Sequence, residues 1–406
     1  MLRSMGDNYD VVIIGGSIAG SITGKSIAEN GYSVLIIEEH HEIGHPMQCA
    51  GLVTPRIFDI IPENDCVLNK VQGAKIYSPS GEELLIDAKK TKALVIDRAK
   101  FDQNCVFQAL HAGCELELGA KAVGARISAK KISVKILHDG KKYSIEPKLV
   151  IGADGVQSQV AHWFGLKRPK VILSGFGAEL TSVDLDPRFV EIYLGNNVAP
   201  NFFSWAIPKS KAKKNGLVAA RVMLACTKSP NSAYYYYKQL FSHPLVGPKL
   251  RHARPIQYIA GGIPIGLVSR AYSNRVMLVG DAAGQVKPTS GGGVYTSMIC
   301  GNHCATTALH ALETGDFSAK SLKRYQKAFM DDIGKELKRG LRLHKVYMHL
   351  SDAQLEEGFK LLGEKNILGI ISKHGDIDYP SKLTTKLFKR IPQLLKFAKP
   401  YLRSFF

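Results

Sequence analysis

Gly15-Gly16-Ser17-Ile18-Ala19-Gly20 has the residue types and spacing of a turn that cradles phosphate. The first glycine permits the tight turn, the third position admits a pyrophosphate, and Gly20 lets a helix pack closely on its strand. The N-terminus of that helix then faces the phosphate charge. Ser17 stands where this fingerprint usually has its second glycine. Its Cβ crowds the pyrophosphate unless the hydroxyl replaces a solvent hydrogen bond, while Gly16 and Gly24 keep the approach close. Ile18 and Ala19 complete the candidate phosphate-binding set. Glu38 follows at the end of the next apolar run, where a carboxylate can accept both hydroxyls of an adenosine ribose. Far downstream, Asp281 ends the run Val276 to Gly280 and is placed to bind a ribityl hydroxyl. Pro288-Thr289-Ser290-Gly291-Gly292-Gly293 follows. Bare N–H groups at Gly291, Gly292 and Gly293, heading a helix, would face a ligand group that carries negative charge. Arg98 in Val95-Ile96-Asp97-Arg98 and Asp154 in Val150-Ile151-Gly152-Ala153-Asp154-Gly155 sit at similar junctions and join the cofactor-binding candidates.

These groups need particular elements to hold them. Tyr9 to Ile14 is an unbroken apolar run, as a central parallel strand covered on both faces requires. A helical pattern leads from the glycine turn to Asn30-Gly31, and Tyr32 to Ile37 supplies a second strand. A glycine triplet alone is ordinary turn chemistry. Strand, helix, second strand and terminal acid together specify a dinucleotide site. The fingerprint does not itself separate FAD from NAD; its place near the chain start and the flavin-like segments downstream favour FAD. Alternating segments such as Val190 to Leu194 and Leu217 to Leu224 predict an antiparallel sheet. The expected organisation is an FAD-binding part over 1–165, in which 76–92 are candidate strands of the other domain, and a substrate domain over 166–262. A returning FAD-binding segment over 263–330 and a helical region over 331–406 complete it.

Taken together, the N-terminal unit and the Asp281 run resemble the hydroxybenzoate-hydroxylase-like class of FAD proteins. This implies an α/β fold with a Rossmann-like FAD-binding domain and an α+β insert. Three segments sharpen the resemblance to the archaeal geranylgeranyl reductases, which saturate isoprenoid chains of ether lipids. Pro46-Met47-Gln48-Cys49-Ala50-Gly51 is similar to that family's PxxCxG. Phe203-Ser204-Trp205-Ala206-Ile207-Pro208 is similar to its YxWxFP, and Gly375-Asp376-Ile377-Asp378-Tyr379-Pro380 to its C-terminal signature. Phe203 replaces a tyrosine, Ile207 a phenylalanine, and Ala161 stands where the wider class often has arginine. The resemblance implies FAD, a geranylgeranyl lipid substrate and Cys49 beside the isoalloxazine as the catalytic candidate, where a neutral thiol can donate a proton or position the chain. Cys49, Ala50 and Gly51 then border the cofactor, while Phe203, Trp205, Ile207 and Pro208 line a substrate wall. The bland reading of Cys49 is a small buried core residue. The run Tyr234 to Tyr237 can offer at most two rings to the same cavity if helical.

Composition narrows the partners. A formal charge of +19 favours an anionic one. The seven cysteines show neither CxxC pairs nor metal-like spacing, so no metal is expected and a reducing cytoplasm fits best. No run is long enough for a signal peptide or a spanning helix. From Ser381 to Phe406 there is no Asp or Glu, and basic residues interleave with apolar ones at helical spacing. The expectation is peripheral contact with an anionic membrane at its inner face, or a helix packed on the body. No second glycine fingerprint is present, so electrons are expected from a transient donor: NADPH, ferredoxin or another reduced carrier. Two rival readings are a flavin monooxygenase or halogenase, because WxIP is shared with halogenases, and a non-enzymatic flavoprotein that presents its basic surface to nucleic acid or membrane. No nucleic-acid motif supports the latter, and no nucleic-acid partner is expected.

Overall fold

The computed structural model describes residues 9–128, 131–213, 216–227 and 231–398. Val11–Ile14 lies at the centre of a six-stranded sheet, paired in parallel with Leu149–Gly152 on one side and Val34–Glu38 on the other. Val11, Val12 and Ile13 are wholly buried in a core shared with Ile27, Cys300 and Ala308 of the helices and with Ile132, Val134 and Ile136 of a three-stranded sheet formed by Lys121–Ser128, Lys131–His138 and Lys141–Ile145. Each such side chain contributes about 1.5–3 kcal/mol by leaving water. Val276–Leu278 joins in parallel beyond Leu149–Gly152, which carries Asp281 to the same edge of the sheet as Gly15.

The helix Ile18–Ala28 packs against the long helix Val294–Thr314. A Cβ on Gly301 would stand 3.2 Å from both Ile22 and Thr23, so glycine sets the spacing. Thr23 Oγ1 donates to the carbonyls of Ala19 at 2.7 Å and Gly301 at 3.3 Å, crossing the seam. This contact brings the heads of both helices together, and with them the first and second glycine turns.

A seven-stranded sheet flanks this unit, in the order Arg254–Ile265, Val171–Val183, Val218–Cys226, Ser204–Pro208, Phe189–Tyr193, Gly73–Tyr77, Glu83–Asp87. It departs from the expected antiparallel sheet in one pairing, since Phe189–Tyr193 runs parallel to Gly73–Tyr77. Those two strands are not joined by a hairpin; a long connection carries the chain from one to the other. The strand Arg254–Ile265 also crosses the expected boundary at 262 without a break.

Period two splits the strand Ser204–Pro208 between two faces. Ala206 packs with Val222, Leu224 and Tyr237 under the helix Ala233–Leu240. Trp205 and Ile207 stand on the opposite face. The tyrosine run lies on Ala233–Leu240, with Tyr237 buried against Phe176 and Tyr234 and Tyr235 exposed. It is therefore not part of the wall that carries Trp205. The C-terminal part is helical, with Lys335–Tyr347, Asp352–Leu362, Lys365–His374 and Pro380–Arg390 as its main elements. Among the described residues no helix is long and apolar enough to cross a membrane.

Candidate active site

Gly15 has φ +109°, and a Cβ there would lie 2.3 Å from the carbonyl oxygen of Ala153. A Cβ on Gly20 would lie 2.0 Å from the carbonyl oxygen of Gly15, so this glycine lets the helix close on its strand. The Gly16 N–H donates to Glu38 Oε2 at 2.8 Å, and the His40 N–H to Oε1 at 3.0 Å. Glu38 is thus fixed at the mouth of the turn. Ile18 is buried with Val53, Ile57 and Met298, and Ala19 abuts Gly280. Both shape the turn by packing. Gly24 has a different duty from the one expected: a Cβ there would meet Cys114, Ile13 and Ile36, so it serves helix-to-sheet contact.

Ser17 Oγ donates to Asp102 Oδ2 at 2.9 Å. The hydroxyl is therefore bound by the protein and does not replace solvent, as the sequence had suggested. Asp102 is buried and also holds Arg98, with Nε to Oδ1 at 2.9 Å and Nη2 to Oδ2 at 3.0 Å. Burial opposes the Arg98 charge, but Asp102 and the Cys49 side chain beside it overcome this and hold the guanidinium well above its ordinary range. Ser17, Asp102, Arg98 and Cys49 form a continuous polar chain from the glycine turn to the cysteine segment.

The cysteine segment is shaped by Gly51. With φ +70°, a Cβ there would strike Arg221 Nη1 at 2.3 Å and the carbonyl oxygen of Ile96 at 2.6 Å. Arg221 is almost wholly buried, and its Nη1 donates to the carbonyls of Ala50 and Ile96 at 2.9 Å each. Glu179 Oε2 accepts from its Nε at 3.3 Å. Sequence reasoning missed Arg221, which sits in an ordinary-looking strand. Its only local sign is an arginine amid eight apolar residues of the strand Val218–Cys226.

At the other end of the cleft, burial pushes the Asp281 carboxyl up to about 6, with Arg98 pulling it down, and no hydrogen bond reaches it among the described residues. A half-buried acceptor of this kind suits a donor such as a ribityl hydroxyl. Asp281 Oδ1 lies 3.2 Å from where a Cβ on Gly293 would be. No side chain caps the helix that begins at Val294. Its first-turn N–H groups are thus available to a partially negative group. Gly291 has φ +70° and touches Ile263 and Phe202. These features fit FAD: two glycine turns heading a pair of packed helices, a fixed glutamate at one and, among the described residues, an unpartnered carboxylate at the other. Asp154 is corrected. Its carboxylate accepts from Ser158 Oγ at 2.6 Å and Val160 N–H at 2.9 Å, so both oxygens are committed to its own loop.

Beneath the triglycine loop lies an ion network that sequence reasoning did not assign to the site. Asp378, wholly buried, accepts from Lys287 Nζ at 2.6 Å, Arg56 Nη1 at 3.0 Å and Thr54 Oγ1 at 2.5 Å. Arg56 also grips Asp376 through two bonds of 2.9 and 2.7 Å. Burial works against the Asp376 charge, yet Arg56 holds the carboxyl below its ordinary range. A Cβ on Gly292 would meet the Lys287 side chain at 3.0 Å. The motif Asp376 to Pro380 was visible in the sequence, but its partners lie far away in the chain and follow no local pattern.

Phe203 stacks on Phe202 with centroids 4.1 Å apart and meets Trp205 edge to face at 5.7 Å. Trp205 also packs with Met47, Ala50, Met223 and Ile259, which brings the cysteine segment onto this wall. Its indole N–H is buried without a partner. Ile207 joins Val71, Val95 and Val190 on the same face. Pro208 does not share that face; its carbonyl accepts from Asn69 Nδ2 at 2.9 Å. Strand alternation removes it from the wall.

Residues 8–331 match the FAD binding domain family. A digeranylgeranylglycerophospholipid reductase of Methanocaldococcus jannaschii is 33% identical over 99% of this chain and 100% of its own length. One from Methanococcus aeolicus is 31% identical over 98% of this chain and 99% of its own. A geranylgeranyl bacteriochlorophyll reductase-like protein from Thermoplasma acidophilum, of known crystal structure, superimposes with a TM-score of 0.84 at 26% identity. That match covers 96% of this chain and 99% of the other.

Proposed function

The chain belongs to the FAD binding domain family and, by full-length similarity, to the digeranylgeranylglycerophospholipid reductases, and on this basis we propose that it reduces isolated C=C bonds in geranylgeranyl chains of ether-lipid precursors. The observation that carries the reading is the meeting of Gly291 with Phe202 and Ile263, where the second glycine turn abuts an apolar wall. FAD supplies the hydride when bound. The chain must supply alignment, a dry surface and a proton. Gly15, Gly16, Gly20 and Glu38 hold the nucleotide, and Asp281 with Gly291 to Gly293 holds the ring end. Phe203, Trp205 and Ile207 exclude water and seat the prenyl chain.

Cys49 is the proton donor in this reading. Its thiol lies against the Arg98 guanidinium, which Asp102 holds in place through two hydrogen bonds. Arg221 positions the donor by clamping the Ala50 carbonyl, so the thiol has a defined place over the wall. The seven-stranded sheet forms the substrate side. Electrons arrive through a transient encounter with NADPH, ferredoxin or another reduced carrier, and the basic C-terminal helix rests on anionic membrane.

The test is anaerobic mixing of chemically reduced protein with a geranylgeranyl lipid. Flavin reoxidation with saturated product is expected; strict dependence on oxygen would favour a monooxygenase or halogenase instead. Cys49→Ala is expected to retain FAD and lose at least about tenfold in turnover, an effect within the usual range for removing a general acid. Unchanged turnover would remove Cys49 from the chemistry.

A further inference from the structure

Lys382, Lys386 and Lys389 are exposed and lie four and three residues apart on the helix Pro380–Arg390, which aligns them in one stripe. Like charges at this spacing repel, so the stripe weakens its own helix. Arg339 reaches the same place from the helix Lys335–Tyr347, and His374 from the end of Lys365–His374. With Ser381 and Thr385 they line a cavity of about 530 Å³ that has no acidic residue in its lining.

An acid does stand close by. Glu336 is buried and its two oxygens are taken by Ser381, one by the N–H at 2.7 Å and the other by the hydroxyl. It is thereby turned to the backbone and unavailable to the lysines. The contrast with Asp376 and Asp378, which pair with Arg56 and Lys287 a few residues earlier, is plain. Burial first, and then Lys386, Lys373 and Lys92, push His374 below its ordinary range, in keeping with an uncompensated positive field.

A place for this cavity follows from its neighbours. Ser381 lies one turn beyond Asp378. Pro288 and Thr289 of the triglycine loop pack against Glu336, Gly340, Asp378 and Pro380, leaving no room for a water molecule between them. The cationic cavity thus lies on the outer side of this closed seam, with the triglycine loop on its inner side. We propose that it binds the phosphate of the lipid headgroup. Three ammonium groups supply charge and the Arg339 fork supplies direction, a combination suited to phosphate oxygens. The cationic cavity stands by its own geometry; its assignment to the substrate's headgroup rests on the reductase reading.

The test compares geranylgeranyl diphosphate with geranylgeraniol, which share a chain and differ in phosphate, by equilibrium binding to the FAD-loaded protein. In the triple variant Lys382→Gln, Lys386→Gln, Lys389→Gln, diphosphate affinity is expected to fall at least about tenfold, with geranylgeraniol affinity within about twofold of wild type. Arg339→Gln, on a separate helix, is expected to lose about threefold for the diphosphate alone. Equal loss for both ligands, or no loss for either, overturns the proposal. Inorganic diphosphate binding as tightly as the prenylated form also overturns it, because the cavity would then take a free anion. Failure of the reductase reading shows separately, as no saturated product while the contrast in binding persists.

Discussion

The two turns that bound the cleft are held in different ways. At Gly15 to Gly20 the decisive contacts involve backbone: Gly16 N–H to Glu38 and Gly20 against Gly15 within one strand-helix-strand unit, and the close passage of Gly15 by Ala153 from the neighbouring strand's end. At Gly291 to Gly293 the support is electrostatic, with Lys287, Asp378, Arg56 and Thr54 drawn from three distant stretches. The first arrangement tolerates almost no added atom. The second tolerates no lost charge, because each ion there is desolvated and relies on its counterpart.

Removing one charge is the strongest way to break this contrast. Asp378→Asn leaves the buried Lys287 amine without its carboxylate and is expected to cost about 3–5 kcal/mol in chemical denaturation. The paired replacement Lys287→Met with Asp378→Leu should recover most of that; if it does not, the network is not acting through charge. Gly15→Ala at the other turn is expected to cost roughly 3 kcal/mol, from a positive φ plus collision with Ala153, and to abolish flavin retention in the purified protein. Retention of colour would show that the backbone there can yield.

Asp281 sharpens the contrast, since it is charged yet unpartnered. Its carboxyl is pushed up from 3.8 to about 6, so the folded cofactor-free protein binds the proton more tightly than the unfolded chain does. Stability from this group is then fullest below pH about 4 and falls by on the order of 2 kcal/mol as pH rises to about 6. Asp281→Asn should flatten that segment of the pH–stability curve in the cofactor-free protein and weaken FAD binding in titrations. A curve that keeps its slope would assign the effect to another group. The smallest expected effect is that of Ser17→Ala, about 1 kcal/mol from the lost bond to Asp102, read as a lower thermal midpoint with flavin still bound.

What could be seen in the chain beforehand follows the same division. The central strand, the glycine turn and Glu38 were legible because period, spacing and residue type are local properties, and the position of Asp281 after an apolar strand was equally plain. Arg221 and Lys287 were not, and Asp378 was seen only as part of a motif without its partners, because a buried charge reveals its role only through a partner that folding brings near. Asp154 was misjudged for a related reason: its type and position suited a cofactor, but Ser158 and the Val160 N–H claim both oxygens. Pro208 fell to strand alternation once the extent of Ser204–Pro208 was known. The Ser17 hydroxyl found a partner 85 residues away, which no turn rule anticipates.

The link between Thr54, Lys287 and Asp378 also sets an order of events during synthesis. Lys287 and Arg56 leave the ribosome well before Asp378, so the nascent chain carries these cations without their shared counterion until that residue follows them. The triglycine shelf above them is completed only then, and a chain truncated ahead of Asp378 would own every glycine of both turns and still lack a finished floor.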